Sequence, residues 1–298
     1  MKTNLLYTLF GISLVFLLAF GAQSYLNSEI TAENIQHASN IIGLEFSPAE
    51  RDSMINELQN SRESFQELRE LQLDNSVPPA LHFNPIPVGK TFNKTDQPEN
   101  WDIPNNVEMP NNRSELAFYT IKELASLIKN QKISSVDLTQ FFLDRIDQHN
   151  DTLEAIVMVT EELALEQARK MDQELSNGNY RGPLHGIPYG LKDLFAVEGY
   201  KTTWGAVPYK DQTIDETATV AKKLEEAGAV LVAKTTLGAL AYGDVWFGGK
   251  TKNPWNLEQG SSGSSAGSAA GTSAGLFPFA IGTETYGSIV SPSNRTGT

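Results

Sequence analysis

The sequence of 298 residues contains no cysteine and only four histidines. The lack of cysteine excludes a disulfide scaffold, a thiol nucleophile and thiolate metal sites. The histidines are scattered without the short spacings typical of zinc ligands, so we expect no metal site; they are His37, His82, His149 and His185. No stretch is rich in lysine or arginine and the net charge is −13, which argues against nucleic acid as a partner.

The composition is nevertheless that of a folded protein. With 40% hydrophobic and 20% charged residues, the chain has enough apolar side chains to fill a substantial core. At about 150 residues per domain, its length allows one large domain or two ordinary ones.

The first 22 residues resemble a secretory signal peptide. Lys2 precedes an uncharged apolar run from Leu5 to Phe20, and the small residues Gly21 and Ala22 follow it. A membrane span needs about 20 apolar residues, so an uncleaved N-terminal anchor is the alternative. We expect an exported protein, periplasmic or secreted, that contacts a membrane only if this segment is retained.

Residues 23–112 form an acidic segment with 14 aspartates and glutamates against 5 lysines and arginines. Ser47, Pro48 and Glu50 are typical of a helix start with a capping box. The apolar residues Met54, Ile55, Leu58, Phe65 and Leu68 then recur at helical spacing. Seven of the fourteen prolines lie from Pro78 to Pro110, which favours extended backbone. We predict a helical extension and a proline-rich arm without chemistry of their own.

Helix and strand patterns alternate over residues 113–298, which predicts an α/β domain. Thr120 and Glu123 form a capping-box pattern at the start of an apolar-periodic run. The run from Ala229 to Ala233 predicts a buried strand.

Two segments of this domain place polar residues among glycines. Gly186 to Asp193 surrounds Lys192 with glycines and a proline, which predicts a tightly turned backbone that buries or aims the amine. A desolvated lysine loses its charge more easily and acts as a base. Gly260 to Gly275 has the composition of a flexible linker, yet it leads into an apolar stretch. This context indicates close backbone approach inside a folded domain.

A third segment, Gly282 to Val290, places Ser288 directly after Gly287. On a turn, such a serine presents its hydroxyl beside several unpaired backbone N–H groups. Those groups are what an oxyanion hole requires.

In this order, the three segments resemble the amidase signature family, from about residue 114 to the end of the chain. The resemblance implies a mixed twisted sheet flanked by helices and a Ser–cis-Ser–Lys triad. In that triad Lys192 is the base, Ser264 the cis-serine and Ser288 the nucleophile; the interval of 24 residues between the two serines agrees with the family pattern and favours Ser264 over Ser265. The implied oxyanion hole consists of the backbone amides of Thr285, Tyr286, Gly287 and Ser288.

The resemblance further implies hydrolysis of an amide bond in a small molecule or peptide, without a cofactor. Ser288 would attack the carbonyl while its proton passes through Ser264 to a neutral Lys192. The proton would return to the leaving amine, and water would hydrolyse the acyl-enzyme.

The chain departs from the family's usual pattern at Glu284, Tyr286 and Val290, where an aspartate, a small residue and an arginine are common. Family members also continue well beyond the point equivalent to Thr298. We therefore expect the N-terminal part of a longer enzyme, inactive alone.

Other functions stay open at this point. A component of an amidotransferase would release ammonia from glutamine or asparagine for a partner enzyme, although an exported protein lacks cytosolic tRNA. A truncated binding protein without activity is the second alternative. The third is a nucleophile elbow from Gly263 to Gly267, which needs a later histidine, whereas His185 is the last one. We expect local hydrogen bonding for His185 and a structural or orienting role for Asp193.

Overall fold

A computed structural model describes residues 29–74, 77, 86–91 and 100–298. The expected signal peptide and part of the expected proline-rich arm lie outside the described residues. In the part of the chain that is described, no helix is both long and apolar enough to cross a membrane. The chain divides into two compact units, Met1–Thr95 and Asp96–Thr298.

The described residues of the first unit form two helices, α1 (Ala32–Ile42) and α2 (Pro48–Glu70). The predicted start of α2 is confirmed. The Ser47 hydroxyl accepts the N–H of Glu50 at 3.3 Å, and the Glu50 carboxylate accepts the N–H of Ser47 at 2.7 Å. This reciprocal pair satisfies two N–H groups that a helix start otherwise leaves without partners.

The second unit is a mixed α/β layer structure, as the sequence predicts. Its helices are α3 (Ile121–Lys129), α4 (Ser135–Leu153), α5 (Glu161–Ser176), α6 (Thr219–Glu226), α7 (Ala266–Ser273) and α8 (Val290–Thr296). Its strands are β1 (Ile156–Val159), β2 (Pro188–Lys192), β3 (Val230–Thr235), β4 (Val245–Trp246), β5 (Gly249–Lys250), β6 (Lys252–Asn253), β7 (Asn256–Gly260) and β8 (Ala280–Ile281).

The central sheet has four strands in the order β1-β3-β2-β8. β3 runs antiparallel to β1 and parallel to β2, and β2 runs parallel to β8. The strand predicted from Ala229 to Ala233 is therefore confirmed as part of β3, with all six residues of β3 buried. Burial on both faces explains its continuous apolar sequence.

Alternate residues of β3 enter two different apolar clusters, because successive side chains of a strand point to opposite faces. Val230 and Val232 pack with residues of α4, α5 and α7. Leu231 packs on the opposite face, with Leu191 of β2 and Ala221 of α6. The sheet is thus covered by apolar side chains on both faces, and each face packs against a different set of helices.

Candidate active site

Lys192 is the last residue of β2 and is fully buried. The expectation of a tightly turned backbone around it is wrong, since Pro188–Lys192 forms an inner strand of the sheet. Gly190 serves close packing there: a Cβ atom at this position would lie 2.8 Å from the Phe277 ring and 2.9 Å from the Thr235 methyl group. Glycine is therefore needed at this position for close packing on the sheet face, and not for a turn.

Lys192 projects from the same face as Gly190, toward the N-terminal end of α7. Its Nζ atom lies 2.9 Å from Ser264 Oγ, 3.0 Å from Ser265 Oγ and 2.7 Å from Thr283 Oγ1. Burial lowers the pKa of Lys192 to about 8, although the negative charge of Glu284 opposes this shift. A substantial fraction of the amine is therefore neutral slightly above neutral pH, as a general base requires.

Ser264 lies just before α7, and the peptide bond that joins it to Gly263 is cis. A Cβ atom on Gly263 would lie 1.9 Å from the carbonyl oxygen of Gly243, so only glycine fits against this neighbouring loop. The predicted close backbone approach of the glycine- and serine-rich segment is confirmed here. The segment also forms the buried helix α7.

Ser288 lies two residues before α8, and its Oγ is 3.1 Å from Ser264 Oγ. The structure therefore brings Lys192, Ser264 and Ser288 into one continuous chain of hydrogen-bonding distances. The N–H of Ser265 also donates to the carbonyl oxygen of Ser288 at 2.9 Å, which ties the two serine-bearing turns together.

The Glu284 carboxylate lies against the backbone that leads into α8. It accepts the N–H groups of Gly287, Ser288, Ile289 and Val290, three of them at 2.6 to 3.0 Å. These bonds lower the pKa of Glu284, so it stays ionised at neutral pH. A carboxylate at this place also complements the positive end of the helix dipole.

This arrangement bears directly on the expected oxyanion hole. Two of its four amides, those of Gly287 and Ser288, donate to Glu284 in this conformation. The other two expected donors are the amides of Thr285 and Tyr286. The Tyr286 side chain is 98% exposed and stands on the outer surface beside the site.

A register shift between β2 and β3 pairs Lys234 with Leu191, so Lys234 lies on the face opposite to Lys192. There it forms a buried ion pair with Asp193. Their carboxylate and amine lie 2.5 Å apart with both side chains fully buried. Thr203 donates its backbone N–H and its hydroxyl to the same carboxylate at 2.9 and 2.5 Å. Asp193 therefore satisfies Lys234 rather than Lys192, in agreement with its expected structural role.

His185 is buried and hydrogen-bonded locally, as expected. Its Nε2 lies 2.9 Å from the carbonyl oxygen of Met171, and its Nδ1 accepts the N–H of Arg181 at 3.3 Å. Ser265, the central serine of the alternative nucleophile elbow, bonds instead to Lys192 and Thr283. Within the described ranges, no group of three or more histidines and carboxylates is placed to hold a metal ion.

The sequence did not predict Ser265 and Thr283 as contacts of Lys192. Both lie in segments that it singled out, at the residue after Ser264 and near the start of the Ser288 segment. Hydroxyl residues are common on such turns, so the sequence carries no signal that would pick these two. It also missed Lys234, which looks like an ordinary residue at the end of a strand.

Comparison with known proteins identifies similar sequences and structures. A family model described as Amidase matches residues 137–298. A glutamyl-tRNA(Gln) amidotransferase subunit from Coxiella burnetii is 42% identical over 181 residues, which cover 60% of this chain and 37% of the relative. The chain thus spans well under half the length of this relative.

Two solved structures share the fold. The native peptide amidase from Stenotrophomonas maltophilia is 36% identical with a TM-score of 0.55, over 58% of this chain and 38% of that one. A bacterial aryl acylamidase of the amidase signature enzymes is 30% identical with a TM-score of 0.56, over 59% of this chain and 37% of that one. Since the family model matches more than half of the sequence and includes Lys192, Ser264 and Ser288, the chain belongs to the amidase family.

Proposed function

We propose that the chain carries the catalytic residues of an enzyme that hydrolyses amide bonds through an acyl-enzyme. Ser288 attacks the carbonyl carbon, Ser264 relays the proton, and Lys192 accepts it as the general base. The proposal is supported above all by the 2.9 Å and 3.1 Å distances that join the three side chains. Both distances are within hydrogen-bond reach, which proton transfer requires.

The burial of Lys192 supports the direction of this transfer. A serine hydroxyl is a weak nucleophile until a base takes its proton, and only a neutral amine has a lone pair for it. Burial supplies the neutral amine by disfavouring the charged form. The proton then travels back to the leaving amine, and water releases the acyl group.

In this mechanism, the amides of Thr285, Tyr286, Gly287 and Ser288 stabilise the oxyanion. An oxyanion that uses the amides of Gly287 and Ser288 must displace the Glu284 carboxylate from them. An oxyanion that uses only the amides of Thr285 and Tyr286 has two donors instead of four. Loss of one such donor typically lowers the rate about 10²–10³-fold.

The decisive experiment is labelling by a fluorophosphonate probe, which reacts with activated serines. It uses the chain together with any sequence that follows Thr298, because the chain alone is expected to be inactive. We expect mass spectrometry of the labelled chain to find the probe on Ser288, and the variant Ser288→Ala to stay unlabelled. Ser291→Ala is the matched control, because it removes a nearby hydroxyl outside the relay and should label normally. A wild-type chain that is folded yet unlabelled would contradict the proposal and favour a binding protein.

A second candidate function is ammonia release from glutamine or asparagine, as a component of an amidotransferase. The observation in its favour is the 42% identity to the Coxiella burnetii protein. Ammonia release from glutamine, from C-terminal peptide amides and from aryl amides should be compared at equal concentrations. Turnover of glutamine alone would favour the amidotransferase-like function, whereas turnover of the other amides would favour the broader hydrolase.

Export of the protein is a further proposal and depends on residues 1–22 acting as a signal peptide. Cell fractionation combined with sequencing of the mature N-terminus tests it. We expect an exported chain that begins shortly after Ala22, and a full-length chain in the cytoplasm would refute the proposal.

A further inference from the structure

Three hydroxyl oxygens surround the amine of Lys192, although the proposed relay uses only that of Ser264. The other two belong to Ser265 and Thr283, at 3.0 Å and 2.7 Å. A neutral amine has two N–H groups and one lone pair. It therefore satisfies three hydroxyls only if two of them accept and one donates.

Ser265 meets the amine as an acceptor. Its single proton is used in a bond to the carbonyl oxygen of Thr283 at 3.2 Å, and its oxygen accepts the Thr283 N–H at 3.1 Å. One lone pair of Ser265 remains, and it faces Lys192. One N–H of the amine therefore points at Ser265.

Thr283 decides where the lone pair of Lys192 points. Its hydroxyl makes the shortest of the three contacts and is placed to accept an N–H of the amine. The residue is half-buried, which allows water to accept its own proton. If Thr283 accepts the second N–H, the lone pair faces Ser264. If Thr283 donates instead, the lone pair faces Thr283 and the relay is interrupted.

We propose that Ser265 and Thr283 are positioning residues that hold the two N–H groups of Lys192 and so turn its lone pair toward Ser264. This inference rests on the proposed function, because it concerns the same base. According to this inference, the protein favours the neutral form of the amine and also fixes the direction in which its lone pair points.

The charged groups around Lys192 are few. Glu284 follows Thr283 directly and acts on the amine through its negative charge. Asp193 and Lys234 form their ion pair on the other face of the sheet. The α7 side contributes hydroxyls alone, because residues 259–283 contain no charged residue. The effect of removing a single hydroxyl on the titration of Lys192 is therefore not masked by neighbouring charges.

The experiment measures the rate of fluorophosphonate labelling of Ser288 from about pH 6 to 10 in wild type, Thr283→Val and Thr283→Ser. We expect Thr283→Val to lower the plateau rate about tenfold or more, since a base without fixed direction loses part of its effect. We also expect its midpoint at lower pH, because the lost oxygen accepts from the charged amine and stabilises it. Thr283→Ser keeps the hydroxyl and should restore both values.

Thr272→Val is the matched control, because Thr272 donates to a carbonyl of its own helix at 2.8 Å and takes no part in the relay. A ¹³C NMR titration of Lys192 Cε in the same variants gives a second reading that does not depend on labelling. A midpoint that Thr283→Val leaves unchanged in this titration overturns the inference, as does a Thr283→Ser variant that behaves like Thr283→Val. Absence of wild-type labelling with a shifted titration would instead count against the proposed function alone.

Discussion

The two faces of the central sheet each bury a lysine, and the two lysines are held in opposite ways. Lys234 lies 2.5 Å from the Asp193 carboxylate, whereas three neutral hydroxyls surround Lys192. Both side chains are fully buried. Burial lowers the pKa of each lysine, but for Lys234 the ion pair opposes that effect with a full charge and a hydrogen bond. Equal burial thus yields an ion-paired structural lysine on one face and a candidate base on the other.

The variant Lys192→Met tests the difference between the two lysines most directly, because it removes the amine of the candidate base. We expect a folded protein whose Ser288 labelling falls at least about 100-fold, the lower range of what a general base contributes. Its thermal stability should be unchanged or higher, because near pH 7 the lowered pKa of Lys192 favours the unfolded, fully protonated state. Lys222→Met, at an exposed lysine on α6, is the control. Normal labelling of Lys192→Met would remove Lys192 from the relay.

Lys234→Met should show the reverse pattern, with a loss of stability. It leaves Asp193 as a buried carboxylate without its cation, and removal of one partner of a buried pair typically costs about 3–5 kcal/mol of unfolding free energy. Urea denaturation monitored by circular dichroism measures this loss. If Lys234→Met were as stable as the wild type, the ion pair would not stabilise the fold.

The pH dependence of Ser288 labelling tests whether Lys192, unlike Lys234, acts as a base. Only the neutral form of Lys192 acts as a base, so the rate should rise with pH and level off above its pKa of about 8. Well below that value, the rate should fall about tenfold per pH unit. A labelling rate that is flat from pH 6 to 9 would show that the titration of Lys192 does not control the nucleophile.

Glu284→Gln should have the smallest effect on the base. The negative charge of Glu284 raises the pKa of Lys192, so its removal should move the labelling midpoint to lower pH. The amide oxygen of glutamine still accepts N–H bonds at the start of α8, which limits structural damage. Glu284→Asp retains the charge and serves as the control. A midpoint that moves upward would contradict the electrostatic role given to Glu284.

The secondary structure was largely accessible from the sequence. Ser47, Glu50, Thr120 and Glu123 form their predicted capping boxes, because a cap depends on residues three positions apart. Two short glycine-containing segments singled out Lys192 and Ser288, whereas Ser264 followed only from the resemblance to the amidase signature family. The misassigned turn at Lys192 has a non-local cause: Gly190 is required by packing against Phe277, which lies far away in sequence.

The sequence by itself determined which elements form and which residue types are available for chemistry, because both depend on near neighbours along the chain. Only the tertiary structure decided what each group faces. In the folded chain, Asp193 pairs with Lys234, and three hydroxyls surround Lys192. The Glu284 carboxylate accepts hydrogen bonds from amides that were expected to bind an oxyanion. The physical reason is that burial and hydrogen-bond partners depend on residues brought together across the sheet, in the case of Lys192 and Thr283 from positions 91 residues apart.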